Sequence, residues 1–375
     1  MSLDWLLGPQ LQAFQRAGFE VLGASAAGEH VAAIEAAGIR HIALQHATRA
    51  MAPHHDLLAL RELVRVFRTE RPTVVHTHNP KPGVYGRLAA KAAGVPVIVN
   101  TVHGLYALPE DPLPKKAVVY GLERIAAFCS DAELLQNPED VATLRRLGVR
   151  AKKLRVLGNG IDLERFEAHA DPDRRAELRA SWGATAHTVV VGLVGRLVAE
   201  KGYREVFAAA ERLAKSHPFV RFVVVGPEDP DKADGITVSE RDAAEASGVI
   251  FLGRRDDVDA IYGAFDLYLL ASWREGFPRS AMEAAASGLP IVATDIRGCR
   301  QVVDHGENGL LVAPRSVWEL AAAVAELADD PARRATMGAA GVAKSRRNFD
   351  QEQIIEITLQ CYRRLLPAGV ELTSA

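Results

Sequence analysis

Short apolar runs rich in β-branched residues alternate with longer amphipathic stretches along this chain, in two successive series. The first series reads FEVLGAS, RHIAL, TVVHTH, PVIVNTVH, DAELLQN and LRVLGNG, with helical patterns between, notably Asp56–Thr69 and Gly83–Ala93. The second follows a polar helical connector at Asp171–Trp182 and reads TVVVGLVGRL, VRFVVVG, GVIFLG, DLYLLAS, PIVATD and NGLLV. Strands spaced by helices need crossover connections, and therefore form parallel sheets. Near-continuous apolar strands suit a parallel sheet covered on both faces. The predicted fold class is α/β, with two doubly wound domains in tandem and a ligand cleft at the carboxyl ends of their strands. A length of 375 residues agrees, being too long for one ordinary core. The expected limits are 1–166, 167–345 and a last stretch, 346–375, holding the helix Gln351–Leu366. The chain opens on a helix-like segment, Leu6–Ala17, where such a domain normally starts on a strand. The expectation is a further strand upstream of Met1.

Charge narrows the class of partner. The formal net charge is −2, which argues against a dedicated nucleic-acid binder. Residues 1–166 nevertheless hold 20 Lys and Arg against 16 Asp and Glu, about +4, leaving about −6 for the rest. Cys129, Cys299 and Cys361 follow no metal-ligand spacing and are expected to be buried thiols in a reducing, cytoplasmic setting. No apolar run is long enough to span a bilayer, and MSLDWLLGPQ does not read as a signal peptide.

Several segments could carry chemistry. In GLVGRLVAEKG a strand ends in a glycine-bearing turn that holds Arg196 and Lys201 ahead of a helix, Tyr203–Lys215. Such a junction is a natural anion site, and the two cations could converge on a diphosphate. They read equally as exposed loop cations. In REGFPRSAMEAAASGLP, Glu275 precedes a helix start at Gly276, Phe277 and Pro278, and Glu283 lies inside its second turn. Free amides at that start could take phosphate oxygens or hydroxyls, and the carboxylates could take vicinal diols. A helix-dipole Glu and a surface Glu would look the same. His76, His78 and His103 fall at strand ends in HTHNPKPG and TVHGLY, with no partner suggesting zinc. Asp257 and Asp259 form a D-x-D pair better explained by helix capping from Asp256 or Asp257. In GNGID, Gly160 is expected to need a positive φ, and ENG at Glu307–Gly309 to be an Asn-Gly turn. The stripe Leu57, Leu60, Val64 and Phe67, bordered by Arg61, Arg65 and Arg68, is either a docked helix or a surface for anionic lipid.

Taken in order, HTHNPKPGVYGRLAAKAAGVP, TVHGLY, LLQNPEDV, LGNGIDLERF, GRLVAEKG, FLGRRDDV and REGFPRSAMEAAASGLPIVATDIRG resemble the retaining glycosyltransferases of family 4. The resemblance implies the GT-B architecture, two Rossmann-like domains facing an interdomain cleft, with the last helix crossing back to the first domain. It implies Arg196 and Lys201 on the donor diphosphate, and Glu275 on donor-sugar hydroxyls with the backbone of Gly276, Phe277 and Pro278. Glu283 would then hold the ribose, and His103 would lie near the donor sugar and acceptor. No cofactor or metal is expected; the donor is a nucleotide-diphosphate sugar, UDP by preference, and the acceptor a cell-envelope saccharide or lipid-linked saccharide at the inner face of the membrane. A sugar-nucleotide epimerase and a nucleotide-sugar-binding pseudoenzyme are the alternatives on this scaffold. Gln301 departs from the Glu common at its position in relatives, a change expected to be structural.

Overall fold

The computed structural model describes residues 7–28, 30–48, 53–78, 80–105, 107, 111–167, 171–229, 232 and 234–368. They divide into two compact units. The first comprises the residues up to Leu157 together with those from Glu352 onward, and the second is Gly158–Gln351.

In the first unit the strands are β1 (Leu22–Ser25), β2 (Arg40–Ala43), β3 (Val74–His78), β4 (Val97–Val102), β5 (Ala132–Leu135) and β6 (Leu154–Val156). β1 and β2 pair with each other, and β3-β4-β5-β6 form a separate sheet; every pairing is parallel. Alternate side chains of β4 face opposite ways. Val97 and Val99 pack against Ala13 and Phe14 of the helix Gly8–Arg16, and against Ile355, Leu359, Cys361 and Tyr362 of the helix Gln351–Leu365. Ile98 packs on the other side, with Val75 and Ala90. A buried charge cluster ties this second face together. Arg87 donates to Glu133 at 2.7 Å and pairs with Glu123 at 2.9 Å, and Asn100 donates to the other oxygen of Glu133.

The helix Pro53–Glu70 resolves one expectation. Leu60, Val64 and Phe67 turn toward Leu44, Leu63 and Ala89, so this is a docked helix and its stripe is core rather than a lipid surface. Leu57 alone of the stripe is exposed.

The second unit holds β7 (Val189–Val194), β8 (Val220–Val225), β9 (Ile250–Phe251), β10 (Leu267–Leu270), β11 (Ile291–Thr294) and β12 (Gly309–Val312). They form one parallel sheet in the order β12-β11-β10-β7-β8-β9. The chain builds outward from β7 through β8 to β9, then returns to the other side of β7 with β10. β7 and β10 therefore flank the switch point, where a doubly wound sheet opens a crevice at its carboxyl edge. Both faces are covered: Val189, Val191 and Leu193 join one core cluster, and Val190 joins the other. That alternation explains the continuous apolar runs.

The unit limits differ from those read in the sequence. Ile161 accepts from Gln351 and donates to Phe349, while Phe166 and Phe349 sit in the second core. The first limit therefore falls after Leu157 rather than Phe166, and the chain rejoins the first unit only at Glu352 rather than Arg346. In GNGID, Gly158 has φ +75 and carries the left-handed turn expected of Gly160. Asn308 is no simple turn residue: it is buried, its amide donating to the Val302 carbonyl and its oxygen accepting from the Asp304 amide. Gly309 already belongs to β12, where a Cβ would come within 2.1 Å of the Ile291 carbonyl. Cys299 and Cys361 are buried, whereas Cys129 is only half-buried.

Candidate active site at the switch point

The loop after β7 carries Arg196, and a 3-10 turn, Ala199–Lys201, brings Lys201 to the start of the helix Tyr203–Ser216. Gly202 joins turn to helix at φ +75, and a Cβ there would lie 2.1 Å from the Ala271 carbonyl oxygen. Only glycine lets the β7 loop press this closely on the end of β10. The contact delivers Lys201 to Glu275: their Nζ and Oε1 are 2.5 Å apart, and the Ser272 hydroxyl donates to the same oxygen at 2.7 Å. On the far side of the loop, a Cβ on Gly298 would meet the Glu275 carbonyl at 2.5 Å. Two glycines thus fix the height of Glu275 above the sheet.

Gly276 and Phe277 continue into the helix Arg279–Ala286, whose N-cap, Pro278, supplies no side-chain cap. The Phe277 carbonyl accepts from the Asn159 amide at 3.2 Å, and its ring packs edge-on against Phe349. Glu283 lies on the second turn and accepts from the Tyr262 hydroxyl at 3.1 Å, with the Arg279 guanidinium 3.9 Å away. Burial pushes its carboxyl above the ordinary range, against the pull of Arg279 and Tyr262. Glu275 and Glu283 stand on one loop-helix junction, and Lys201 is delivered to the first of them.

Arg196 is placed differently from a free loop cation. It pairs with Asp229, with Glu200 3.9 Å away. Glu200 in turn takes Lys232 at 2.7 Å and Arg274 at 3.6 Å. Ser272, Asp229 and Glu200 are residues that pattern reading passed over, although Ser272 and Glu200 stand inside quoted segments. Trp273 and Arg315 were missed as well. The Trp273 indole donates to Glu205 at 3.1 Å, and the guanidinium of Arg315, at φ +63, lies 4.2 Å from its ring.

Asp257 is the N-cap of the helix Val258–Ala264 by position, yet its side chain makes no cap. It binds Arg255 and Arg174 instead, which hold its carboxyl down at about 2, while Asp259 takes Arg165. The pair is thus occupied by arginines rather than capping. Gln301 donates its amide to the Arg297 carbonyl at 3.0 Å. Among the described residues no group of three or more His, Cys, Asp or Glu could hold a metal ion.

His103 belongs to the first unit, just past β4. Its Nε2 lies 3.1 Å from Nδ1 of His78, whose ring stacks on His76 at 4.2 Å. His76 contacts the Tyr362 hydroxyl and Thr101 at 2.7 Å. Burial lowers His103 to about 4, against a hydrogen bond that its ring donates to Gln136, and lowers His76 to about 3. All three rings are neutral at pH 7.

The two units match known families separately. A model described as Glycosyltransferase Family 4 matches residues 10–165, and one described as Glycosyl transferases group 1 matches residues 188–330. An Escherichia coli UDP-Gal:alpha-D-GlcNAc-diphosphoundecaprenol alpha-1,3-galactosyltransferase is 30% identical over 280 residues, covering 73% of this chain and 71% of its own. This chain is a family 4 glycosyltransferase. The glycosyltransferase is also 26% identical to the capsular polysaccharide biosynthesis glycosyltransferase CapM of Staphylococcus aureus, covering 85% of this chain and 83% of that one. Its fold overlays on the sucrose-phosphate synthase of Thermosynechococcus elongatus with a TM-score of 0.79 at 25% identity, covering 96% and 92% of the two chains. Two Rossmann-like domains of the GT-B class are the architecture it shares with these neighbours.

Proposed function

We propose that this glycosyltransferase moves a hexosyl group from a UDP-sugar onto a lipid-linked saccharide of the cell envelope, with retention at the anomeric carbon. The observation that carries the reading is the Lys201–Glu275 pair, held between the ends of β7 and β10 at the switch point. A cation and a carboxylate in contact there suit the two halves of one donor, phosphate for Lys201 and sugar hydroxyls for Glu275. The galactosyltransferase relative, named for a UDP-sugar donor and a diphosphoundecaprenol-linked acceptor, supports the substrate classes.

The bond from the anomeric carbon to the phosphate oxygen breaks, leaving charge on UDP. Lys201, Arg196 and the uncapped start of the helix Arg279–Ala286 stabilise that charge as it develops. Arg196 reaches it by exchanging Asp229 for the diphosphate. The acceptor hydroxyl oxygen bonds the same face of the anomeric carbon, and its proton passes to the departing phosphate oxygen. Glu275 holds sugar hydroxyls, the amides of Gly276, Phe277 and Pro278's neighbours on the helix start assist, and Glu283 holds the ribose. His103, neutral at pH 7, serves as a hydrogen-bond partner that positions substrate rather than as a general base.

The experiment is a panel of nucleotide sugars assayed for released nucleotide with and without a polyprenyl-diphosphate saccharide acceptor. Release that depends on a UDP-sugar and the acceptor, with a retained linkage by NMR, is expected. Donor binding without turnover, or an inverted linkage, overturns the reading.

A further inference from the structure

Trp273 stands in the loop after β10, two residues before Glu275, and the chemistry above gives it no part. Its indole is gripped from two sides. Nε1 donates to Oε1 of Glu205, on the first turn of the helix Tyr203–Ser216, at 3.1 Å. Across the ring face, the Arg315 guanidinium lies 4.2 Å from the centroid. Arg315 follows β12, just ahead of the helix Val317–Asp329. The two helices share a core, Val206 and Ala209 with Leu320 and Val324, and the indole bridges their starts. Both halves of the grip are costly arrangements. Arg315 has φ +63, and Arg71 is the other described residue besides glycine with a positive φ. A side chain is strained there, and such strain persists where its surroundings hold it. The other oxygen of Glu205, Oε2, is buried with no hydrogen-bond partner among the described residues. The indole N–H is therefore the donor that keeps this carboxylate from standing unpaired. The two contacts reinforce each other: a carboxylate at the N–H pushes electron density into the ring, and the cation binds the enriched face.

We propose that Trp273 is a positioning residue of the transferase site, clamped by Arg315 and Glu205 so that Lys201 and Glu275 keep their register. The loop offers the route. The Trp273 amide donates to the Glu200 carbonyl at 2.9 Å, one residue before Lys201. On its other side the Ser272 hydroxyl donates to the Glu275 oxygen that pairs with Lys201. One stretch of backbone thus touches both the turn that carries the cation and the support of the carboxylate. Gly202, pressed on Ala271, sets the height of this loop, and the indole fixes its rotation. In the sheet β11 and β10 lie between β12 and β7, so the clamp ties the loop of an edge strand to the helix beyond the switch point. Misplacing a reacting group by about 1 Å costs about 10²-fold in rate, so a small rotation is enough to matter. The kinetic consequence rests on the reading of function above; the clamp itself does not.

Arg315→Gly in the full chain tests it, because it removes the cation and the backbone strain together. An Arg315 that only filled its loop would leave the variant as active as the unaltered chain. The clamp predicts an unchanged melting curve, UDP affinity by calorimetry within about twofold, and kcat lower by about tenfold. Arg315→Asn, which also tolerates a positive φ, should match it, and carries the test if glycine loosens the loop. In a Trp273→Leu background, itself slowed, Arg315→Gly should cause no further loss, since the ring it acts through is gone. Hydrogen exchange without substrate gives a second readout. Amides of residues 199–202 and 272–276 should exchange about tenfold faster in both Arg315 variants, with the rest of the second unit unchanged. Unaltered kcat or unaltered exchange in both variants, or losses that multiply in the Trp273→Leu background, would overturn the proposal. If the unaltered chain turns over no donor, the transferase reading fails and the exchange comparison still decides the clamp.

Discussion

Lys201 and Glu275 hold one another at 2.5 Å, so neither can be altered without exposing the other's charge. Glu275→Ala should reduce transfer by more than about 100-fold while leaving UDP binding by calorimetry largely intact. Lys201→Ala should weaken UDP binding and cut turnover by about 10²–10³. The double variant should lose far less than the product of the single losses, because the two act as a unit. Equal loss of UDP binding in both single variants would remove Glu275 from the sugar. The histidines make a different residue-scale prediction. His76, His78 and His103 are all held below the ordinary value of 6.5 by burial, two of them at about 3 and about 4. Unfolding lets them take up protons below pH 6.5, so stability is full above that pH and is lost as pH falls toward about 4. Each group adds up to about 1.4 kcal/mol per pH unit to that slope. Urea midpoints measured between those limits should show a shallower slope for His78→Asn; an unchanged slope would mean the ring is not buried neutral.

Among the elements, the β7 loop and the β10 loop meet where Gly202 passes beneath Ala271. Gly202→Ala places a Cβ into a carbonyl oxygen and a side chain at φ +75. The backbone conformation alone costs about 1–2 kcal/mol, and relief of the clash must move Ser272 or Lys201. Turnover should fall by about 100-fold with Glu275 and Lys201 both still present. A variant with normal kinetics would show that the loop contact does not set the geometry. The glycine was visible in GRLVAEKG, yet its reason was not, because the partner it presses against lies on another strand. Arg196 shows the same limit. Its place after β7 was legible from the strand-turn-helix pattern, but Asp229, which binds it, comes from a loop with no pattern of its own.

For the whole molecule, the helix Gln351–Leu365 matters most. Ile355, Leu359, Cys361 and Tyr362 complete the core over Val97 and Val99, with Tyr362 packed 5.2 Å from Phe14. Truncation after Gln351 should therefore open the first unit while the second, Gly158–Gln351, stays largely protected, as limited proteolysis would report. Equal protection of both units would mean the helix is dispensable. The twofold run of strand and helix patterns, the twelve strands of the described residues and the parallel architecture were legible in the sequence, because side-chain periodicity and burial on both faces are local properties of each segment. So were the positions of Arg196, Lys201 and Glu275 on loops that follow an apolar run and precede a helix, and that of Glu283 inside the helix that follows Glu275. What the chain could not show locally was which groups meet. The Lys201–Glu275 contact, the hold of Arg174 on Asp257, and the unit limits at Leu157 and Glu352 all depend on segments distant in sequence. The inward stripe of Pro53–Glu70 and the outward apolar face of Leu113–Cys129 make the same point. Apolar periodicity says that a helix has a face; only packing decides whether protein covers it.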